Sequence, residues 1–253
     1  MLEIGDLVTR NSYNNDVVFR IVNIDNNVVL LKGIDVRLVA DSPLDDLVKF
    51  VSSDKENDED IPVVNEIGTL DRNDYFYLPG RILHLDGDNE YLERCINYYN
   101  KNKVKSYGFY LEEEDMSSNI LDYLKKYNPD ILVITGHDAF YRKRGDNYKN
   151  TSNFVEAVRE ARRYEKSHEK LIIVAGACQS NYEDLIKAGA NFASSPKRIN
   201  IHALDPAIIA ASLAFADRND NIDLLNILER TKYGVSGMGG IITKGTMYVG
   251  FPR

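Results

Sequence analysis

The sequence predicts an α/β protein, a parallel sheet flanked by helices on both faces, preceded by a small SH3-like β-barrel. After Gly80, short runs of Ile, Leu and Val alternate with stretches of helical period, the pattern of a parallel sheet covered on both sides. Before Phe50, β-rich runs alternate with turn residues. Between the two regions, Ser52 to Asp60 reads Ser-Ser-Asp-Lys-Glu-Asn-Asp-Glu-Asp, too polar to bury itself. The expected divisions are therefore 1–50 for the barrel, 51–79 for an acidic linker and lead-in, and 80–253 for the α/β domain.

The barrel strands are expected at Leu7–Thr9, Val17–Ile24, Val28–Leu31 and Val36–Val39, with Asn14-Asn15 and Asn26-Asn27 as tight turns. Residues 61–80, with two prolines and Tyr75-Phe76-Tyr77, form an irregular lead-in. Arg81–Asp86 is the first α/β strand. Asp88 caps a helix whose apolar face is Leu92, Cys95, Ile96 and Tyr99. A second strand, Val104–Leu111, leads to a helix burying Ile120, Leu124 and Tyr127. The third strand ends at His137, and a helix with Phe154, Val158 and Ala161 inward precedes a fourth strand ending at Cys178. Gly189 closes the next helix. Asn191–Ala193 and Ile199–Ala203 are further short strands. Asp205-Pro206 opens the apolar helix Ala207–Ala216, and the Gly-rich tail Val235–Phe251 ends in a β-like segment.

Composition narrows the function. A formal charge of −8 disfavours nonspecific binding to nucleic acid or anionic membrane. Two cysteines make no disulfide framework, and no C-x-x-C zinc pattern is present. The start, Met-Leu-Glu-Ile-Gly-Asp, lacks the regions of a secretory signal, and the longest apolar run is too short to span a bilayer. A soluble, intracellular protein is expected.

The chemistry concentrates at two strand ends. Leu171 to Ser180 is a buried strand that delivers Cys178 to a strand-to-helix turn, and Ser180 with Glu183 has capping-box spacing. A sulfur beside a helix N-terminus favours the thiolate. Asp130 to Asp138 has the same design and ends at Thr135-Gly136-His137-Asp138. Strands separated by one crossover helix usually lie side by side, so Cys178 and His137 should meet where open α/β sheets bind ligands. A thiol and an imidazole so placed are the parts of a cysteine hydrolase. Taken alone, Cys178 would be a buried small residue. Cys95 and His84 read as core, His168 as solvated, and His202 as an alternative base. Asp86 and Asp88 could be no more than turn and N-cap residues, and Arg142-Lys143-Arg144 a solvated loop. Tyr233–Gly240 lacks the Lys-Ser/Thr of a phosphate loop.

Two apolar strands, one ending at a His and the next at Ala-Cys, resemble the caspase, legumain and gingipain clan of cysteine peptidases. In that clan the His precedes a Gly, whereas here Gly136 comes before His137. Gly5-Asp6-Leu7-Val8-Thr9-Arg10-Asn11-Ser12-Tyr13, Lys32-Gly33-Ile34-Asp35-Val36-Arg37-Leu38, Ala40-Asp41-Ser42-Pro43 and the two strand-end stretches are together similar to the YabG family of sporulation-specific proteases, over nearly the whole chain. The resemblance implies a caspase-like fold and proteolysis of spore coat and cortex-lytic precursor proteins, in the cytoplasm of the sporulating cell or in the spore. It further implies a Cys178 nucleophile with His137 as base. The expected oxyanion hole is the N–H of Cys178 with one from the Gly136–Asp138 turn, a donor of this kind being worth about 3 kcal/mol. Asp86, with Asp88, would line the pocket for the residue before the cut and select arginine by charge-assisted hydrogen bonds. The basic loop at Arg142 would then be a self-cleavage site. No metal or organic cofactor is required, and protein substrates are the only partners implied.

Two other readings stay open. Gly176-Ala177-Cys178-Gln179-Ser180 also resembles the nucleophile turn of glutamine amidotransferases, which place a His after the Cys and an acid two positions later. Here only His202 follows, and position 204 is Leu. A non-enzymatic flavodoxin-like spore-coat scaffold would leave Cys178 buried and inert to alkylation.

Overall fold

The computed structural model describes residues 2–51, 58, 61–64, 75–141 and 147–251. Most of the acidic linker, the stretch 65–74 and the basic loop Arg142-Lys143-Arg144 lie outside them.

The N-terminal region is a five-stranded antiparallel sheet: β1 (Leu7–Arg10), β2 (Phe19–Asp25), β3 (Val28–Gly33), β4 (Val39–Pro43) and β5 (Leu47–Lys49) in the order β4-β3-β2-β1-β5. Asn14, Asn15 and Asn26 have φ of 55°, 58° and 54°, the left-handed conformation that asparagine tolerates in turns. Val36–Val39 is not the strand its alternation predicts. β4 begins at Val39, and Val36 makes an isolated antiparallel bridge to His202 in the second half of the chain. The apolar positions Val36 and Leu38 are buried in the contact between the two halves and not within the first sheet alone.

The second half begins with β6 (Phe76–Leu78), which pairs with the last strand, β15 (Tyr248–Gly250). The main sheet contains β7 (Ile82–Asp86), β8 (Ser106–Tyr110), β9 (Ile131–Thr135), β12 (Ile172–Ala175) and β13 (Phe192–Ser194), all parallel, with β14 (Met238–Gly240) antiparallel at the edge. Their order is β8-β7-β9-β12-β13-β14. A two-residue ladder, β10 (Phe140–Tyr141) with β11 (Asn147–Tyr148), lies in the connection after β9. The helices are α1 (Asn89–Lys101), α2 (Met116–Tyr127), α3 (Thr151–Tyr164), α4 (Tyr182–Ala188), α5 (Asp205–Phe215), α6 (Leu224–Glu229) and α7 (Gly234–Gly237).

Every residue of β7, β9 and β12 is buried, which explains their unbroken apolar runs. Alternate residues serve opposite faces. Ile82, Ile131, Val133, Ile172 and Val174 pack with α1 and α5, while Leu83, Leu85, Leu132, Ile134 and Ile173 pack with α2, α3 and Leu185 of α4. All of α5 is buried, and Phe19, Ile21, Leu31 and Val36 of the N-terminal region belong to the same apolar cluster. The segment Ile199–Ala203 forms no strand beyond the bridge at His202. Among the described residues, no helix is long and apolar enough to cross a membrane.

The strand order places β7 between β8 and β9, so the chain steps from β7 to β8 in one direction and then crosses back past β7 to β9 in the other. The order therefore reverses between β7 and β9, and the C-terminal ends of such strands are where open α/β sheets build their sites.

Candidate active site

β9 and β12 are adjacent and parallel, with Ile134 opposite Ala175. Each chain runs on three residues beyond that pair, one to His137 and the other to Cys178. The two turns are tied together. Asp138, next to His137, accepts at Oδ2 from the Ser180 hydroxyl, two residues past Cys178, at 2.8 Å. Asp138 also accepts from the Thr151 hydroxyl and from the N–H groups of Ala139 (2.9 Å) and Asn150 (2.8 Å). Burial raises its pKa all the same.

Cys178 does not stand at a helix N-terminus. The Ser180 side chain accepts from Ala177 N–H at 3.0 Å and serves Asp138, so the cap passes to Asn181, which accepts from Asp184 N–H at 3.3 Å, and α4 starts at Tyr182. The turn is tight, with Gly176 at φ 105° and Gln179 at φ 59°. The cysteine is wholly buried. Ile201 N–H donates to Sγ at 3.2 Å, and the thiol faces Ile201 O at 3.6 Å. Burial pushes the thiol up to about 12, so it is protonated at neutral pH. The cover over the sulfur is pinned from the N-terminal region, because Ala203 N–H donates to Asp35 O at 2.9 Å and Arg37 N–H to Ile201 O at 3.4 Å.

His137 stands just past the end of β9, its side chain 14 % exposed between the β7–α1 turn and the loop after β8. Its Nε2 is 3.0 Å from Asp88 Oδ2, an ion-pair contact in which the N–H is not aligned as a hydrogen bond, and its Nδ1 is 3.5 Å from Glu113 Oε1. Its backbone N–H donates to the same Glu113 oxygen at 2.8 Å. One amide of the expected oxyanion turn therefore already holds an anion. Gly87 and Gly136 make this possible, since a Cβ on either would come within 2.4 or 2.5 Å of Glu113 Oε1. Burial disfavours the imidazolium, but the two carboxylates outweigh it and the pKa rises. Burial likewise opposes ionisation of Asp88 and Glu113, yet both are held below their usual range, Asp88 by His137, Lys32 and the Tyr91 N–H, and Glu113 by His137.

Asp86 does not line a pocket. It is 0 % exposed and its carboxylate is consumed internally: Arg37 Nη1 donates at 2.7 Å, the Thr135 hydroxyl at 2.9 Å, and Asp88 N–H at 3.0 Å. No face is left for a substrate guanidinium. Asp88 is a true N-cap, accepting from Tyr91 N–H at 3.0 Å, and its other oxygen is taken by Lys32 and His137.

His84 and Cys95 are core residues. Because Thr135 donates to Asp86, it must accept from His84 Nε2, 2.7 Å away, and His84 Nδ1 then accepts from Tyr99. His84, Asp86 and Cys95 bring three candidate ligand atoms within 4.8 Å, but Arg37 already supplies the cation there, with Nη2 3.4 Å from Cys95 Sγ. His202 is buried, its Nδ1 accepting from Leu204 N–H at 3.2 Å. His168 lies 3.5 Å from Arg162 Nη2 and is half-buried.

Sequence reasoning missed Lys32, Arg37 and Glu113. Lys32 and Arg37 sit in alternating β-like segments, where a charge reads as the solvent face. Glu113 is one of three consecutive glutamates and carries no local mark of burial.

No solved structure matches the chain significantly. The family model described as YabG peptidase U57 matches residues 3–68 and 55–252. The chain is similar to the sporulation-specific protease YabG of Bacillus subtilis (strain 168), with 42% identity over 283 aligned positions, covering 99% of this chain and 98% of that protein. A match running through both the N-terminal sheet and the turns that bear His137 and Cys178 places the chain in the YabG peptidase family, U57.

Proposed function

We propose that the protein is a cysteine endopeptidase of sporulation, with Cys178 as nucleophile and His137 as its base, cutting spore coat and cortex-lytic precursor proteins in the sporulating cell. The observation that carries this is the Ser180–Asp138 hydrogen bond at 2.8 Å, which locks the two turns that bear the reactive side chains. In the form described here the thiol is covered and protonated, so attack requires the segment Asn200–Ala203 to lift. His137 then takes the thiol proton, the thiolate adds to the scissile carbonyl, and His137 returns the proton to the leaving amine before water cleaves the thioester. The Cys178 N–H, with an amide of the Gly136–Asp138 turn once Glu113 withdraws, would hold the oxyanion.

We read the N-terminal sheet as an SH3-like barrel from its strand order and the 3₁₀ turn Leu44–Asp46 between β4 and β5. We retain the division at residues 50 and 80. Preference for arginine at the cut must rest on carboxylates other than Asp86, and Glu112 and Glu114, exposed beyond β8, are the ones at hand.

The test is cleavage of spore protein extracts with the cut sites mapped. Cys178→Ala and His137→Ala should abolish cutting, by at least 10³-fold, with circular dichroism unchanged, and Cys95→Ala should cut normally. Undiminished cleavage by Cys178→Ala overturns the reading. Slow alkylation of Cys178 follows from its burial in an enzyme and a scaffold alike, so cleavage and not thiol reactivity separates the two.

A further inference from the structure

His137 has a carboxylate at each ring nitrogen, and a Cys/His pair can use only one of them as a permanent anchor. The other nitrogen has to face the sulfur. The two carboxylates differ in how they are held. Asp88 follows directly on β7, caps α1 through Tyr91 N–H at 3.0 Å and is clamped by Lys32 Nζ at 2.6 Å. Its own N–H donates to Asp86 at 3.0 Å, and Asp86 is in turn fixed by Arg37. Glu113 sits on the loop after β8, farther from the ring at 3.5 Å, with exposed Glu112 and Glu114 beside it.

We propose that Asp88, clamped by Lys32 of the N-terminal sheet, is the positioning residue that holds His137 through Nε2, leaving Nδ1 as the nitrogen that serves Cys178. The N-terminal sheet is then a working part of the site and not an appended module. Lys32 lies on β3, 18 % exposed, with its ammonium 4.8 Å from the Tyr91 ring centroid and 3.1 Å from Glu90. The Tyr91 ring packs on His137 at 5.7 Å between centroids and also meets Arg37 at 5.1 Å. The groups facing His137 are thus Asp88 from the β7–α1 turn, Glu113 from the β8–α2 loop and Tyr91 of α1, with Lys32 and Arg37 behind them. Lys32 draws charge from Asp88, so it weakens the hold on the imidazolium while fixing where the carboxylate stands.

This inference rests on the Cys178/His137 reading, and its test separates the two. The His137 ring protons are followed by NMR across pH in full-length Cys178→Ala, alone and combined with Asp88→Asn or Lys32→Met. Asparagine keeps the cap, so the helix is preserved. Asp88→Asn should move the titration midpoint down and Lys32→Met should move it up, opposite signs that a merely structural role would not produce. Midpoints that stay in place, or move together, overturn the proposal. In the otherwise wild-type chain acting on labelled casein, Asp88→Asn should lower kcat at least tenfold with KM unchanged. Lys32→Arg should restore most of what Lys32→Met loses. An Asp88→Asn enzyme with unchanged kcat also overturns the proposal. If Cys178→Ala itself still cuts casein, the peptidase reading falls, and the positioning role with it, while the NMR shifts would still report the Asp88–His137 contact.

Discussion

His137 and Arg37 show how burial and charge compete at single residues. The His137 pKa is raised in the folded protein, so its contribution to stability is complete below the unfolded value of about 6.5 and is lost as pH rises through the folded value. The thermal midpoint of the wild type should exceed that of His137→Asn most at pH 5.5 to 6, with the gap closing toward pH 9. A gap that widens with pH would contradict the carboxylate clamp. Asp86, Asp88 and Glu113 act in the opposite sense, their contributions being present above about pH 4 and lost on acidification. Arg37 and Asp86 are both fully buried. Removing one partner leaves a buried charge unpaired, so Arg37→Met should cost about 3–5 kcal/mol in urea denaturation. The double variant Arg37→Met/Asp86→Leu should recover much of that, and failure to recover would mean that Arg37 matters chiefly through its hydrogen bond to Ala203 O (3.0 Å).

At the scale of the element, what matters is how far the strands run before the turns begin. β9 and β12 stop two and three residues short of His137 and Cys178, because the side chains of Asp138 and Ser180 bond the turns to each other and not into the ladder. Gly176 is where β12 breaks. Its φ of 105° suits glycine, and a Cβ there would meet Ser194 Oγ at 2.3 Å and Leu185 Cδ1 at 2.8 Å. Gly176→Ala should therefore destabilise by about 1–3 kcal/mol and abolish cleavage while Cys178 remains. Wild-type activity in this variant would mean that the turn is not needed to present the thiol. The caps were legible where one residue serves one helix, as at Asp88. The cap of α4 falls one residue later than the Ser180–Glu183 spacing predicts, because Ser180 has a long-range partner that no local pattern reveals.

In the whole molecule, the two halves share one apolar cluster, with Phe19, Ile21, Leu31 and Val36 joined to α5 and α1. They also share buried polar contacts, Arg37 with Asp86 and the Tyr91 hydroxyl, whose single proton is shared between Gly33 O at 2.6 Å and Val36 O at 2.8 Å. The full chain should therefore unfold in one cooperative transition, with circular dichroism and tyrosine fluorescence coinciding. Two resolved transitions would mean that the N-terminal sheet is an independent module, as the acidic stretch between the halves suggests from sequence.

The alternation of strands and helices, the parallel sheet, and the arrival of a His and a Cys at neighbouring strand ends are legible along the chain, because periodicity and strand-end chemistry are local properties written residue by residue. Which charges are buried, and against whom, emerges only in the folded chain. Arg37 reaches Asp86, Lys32 reaches Asp88, and Glu113 reaches His137, each across a long span of chain. Electrostatic pairing depends on distance in space and on exclusion of water, and neither is encoded in the spacing of residues along the chain.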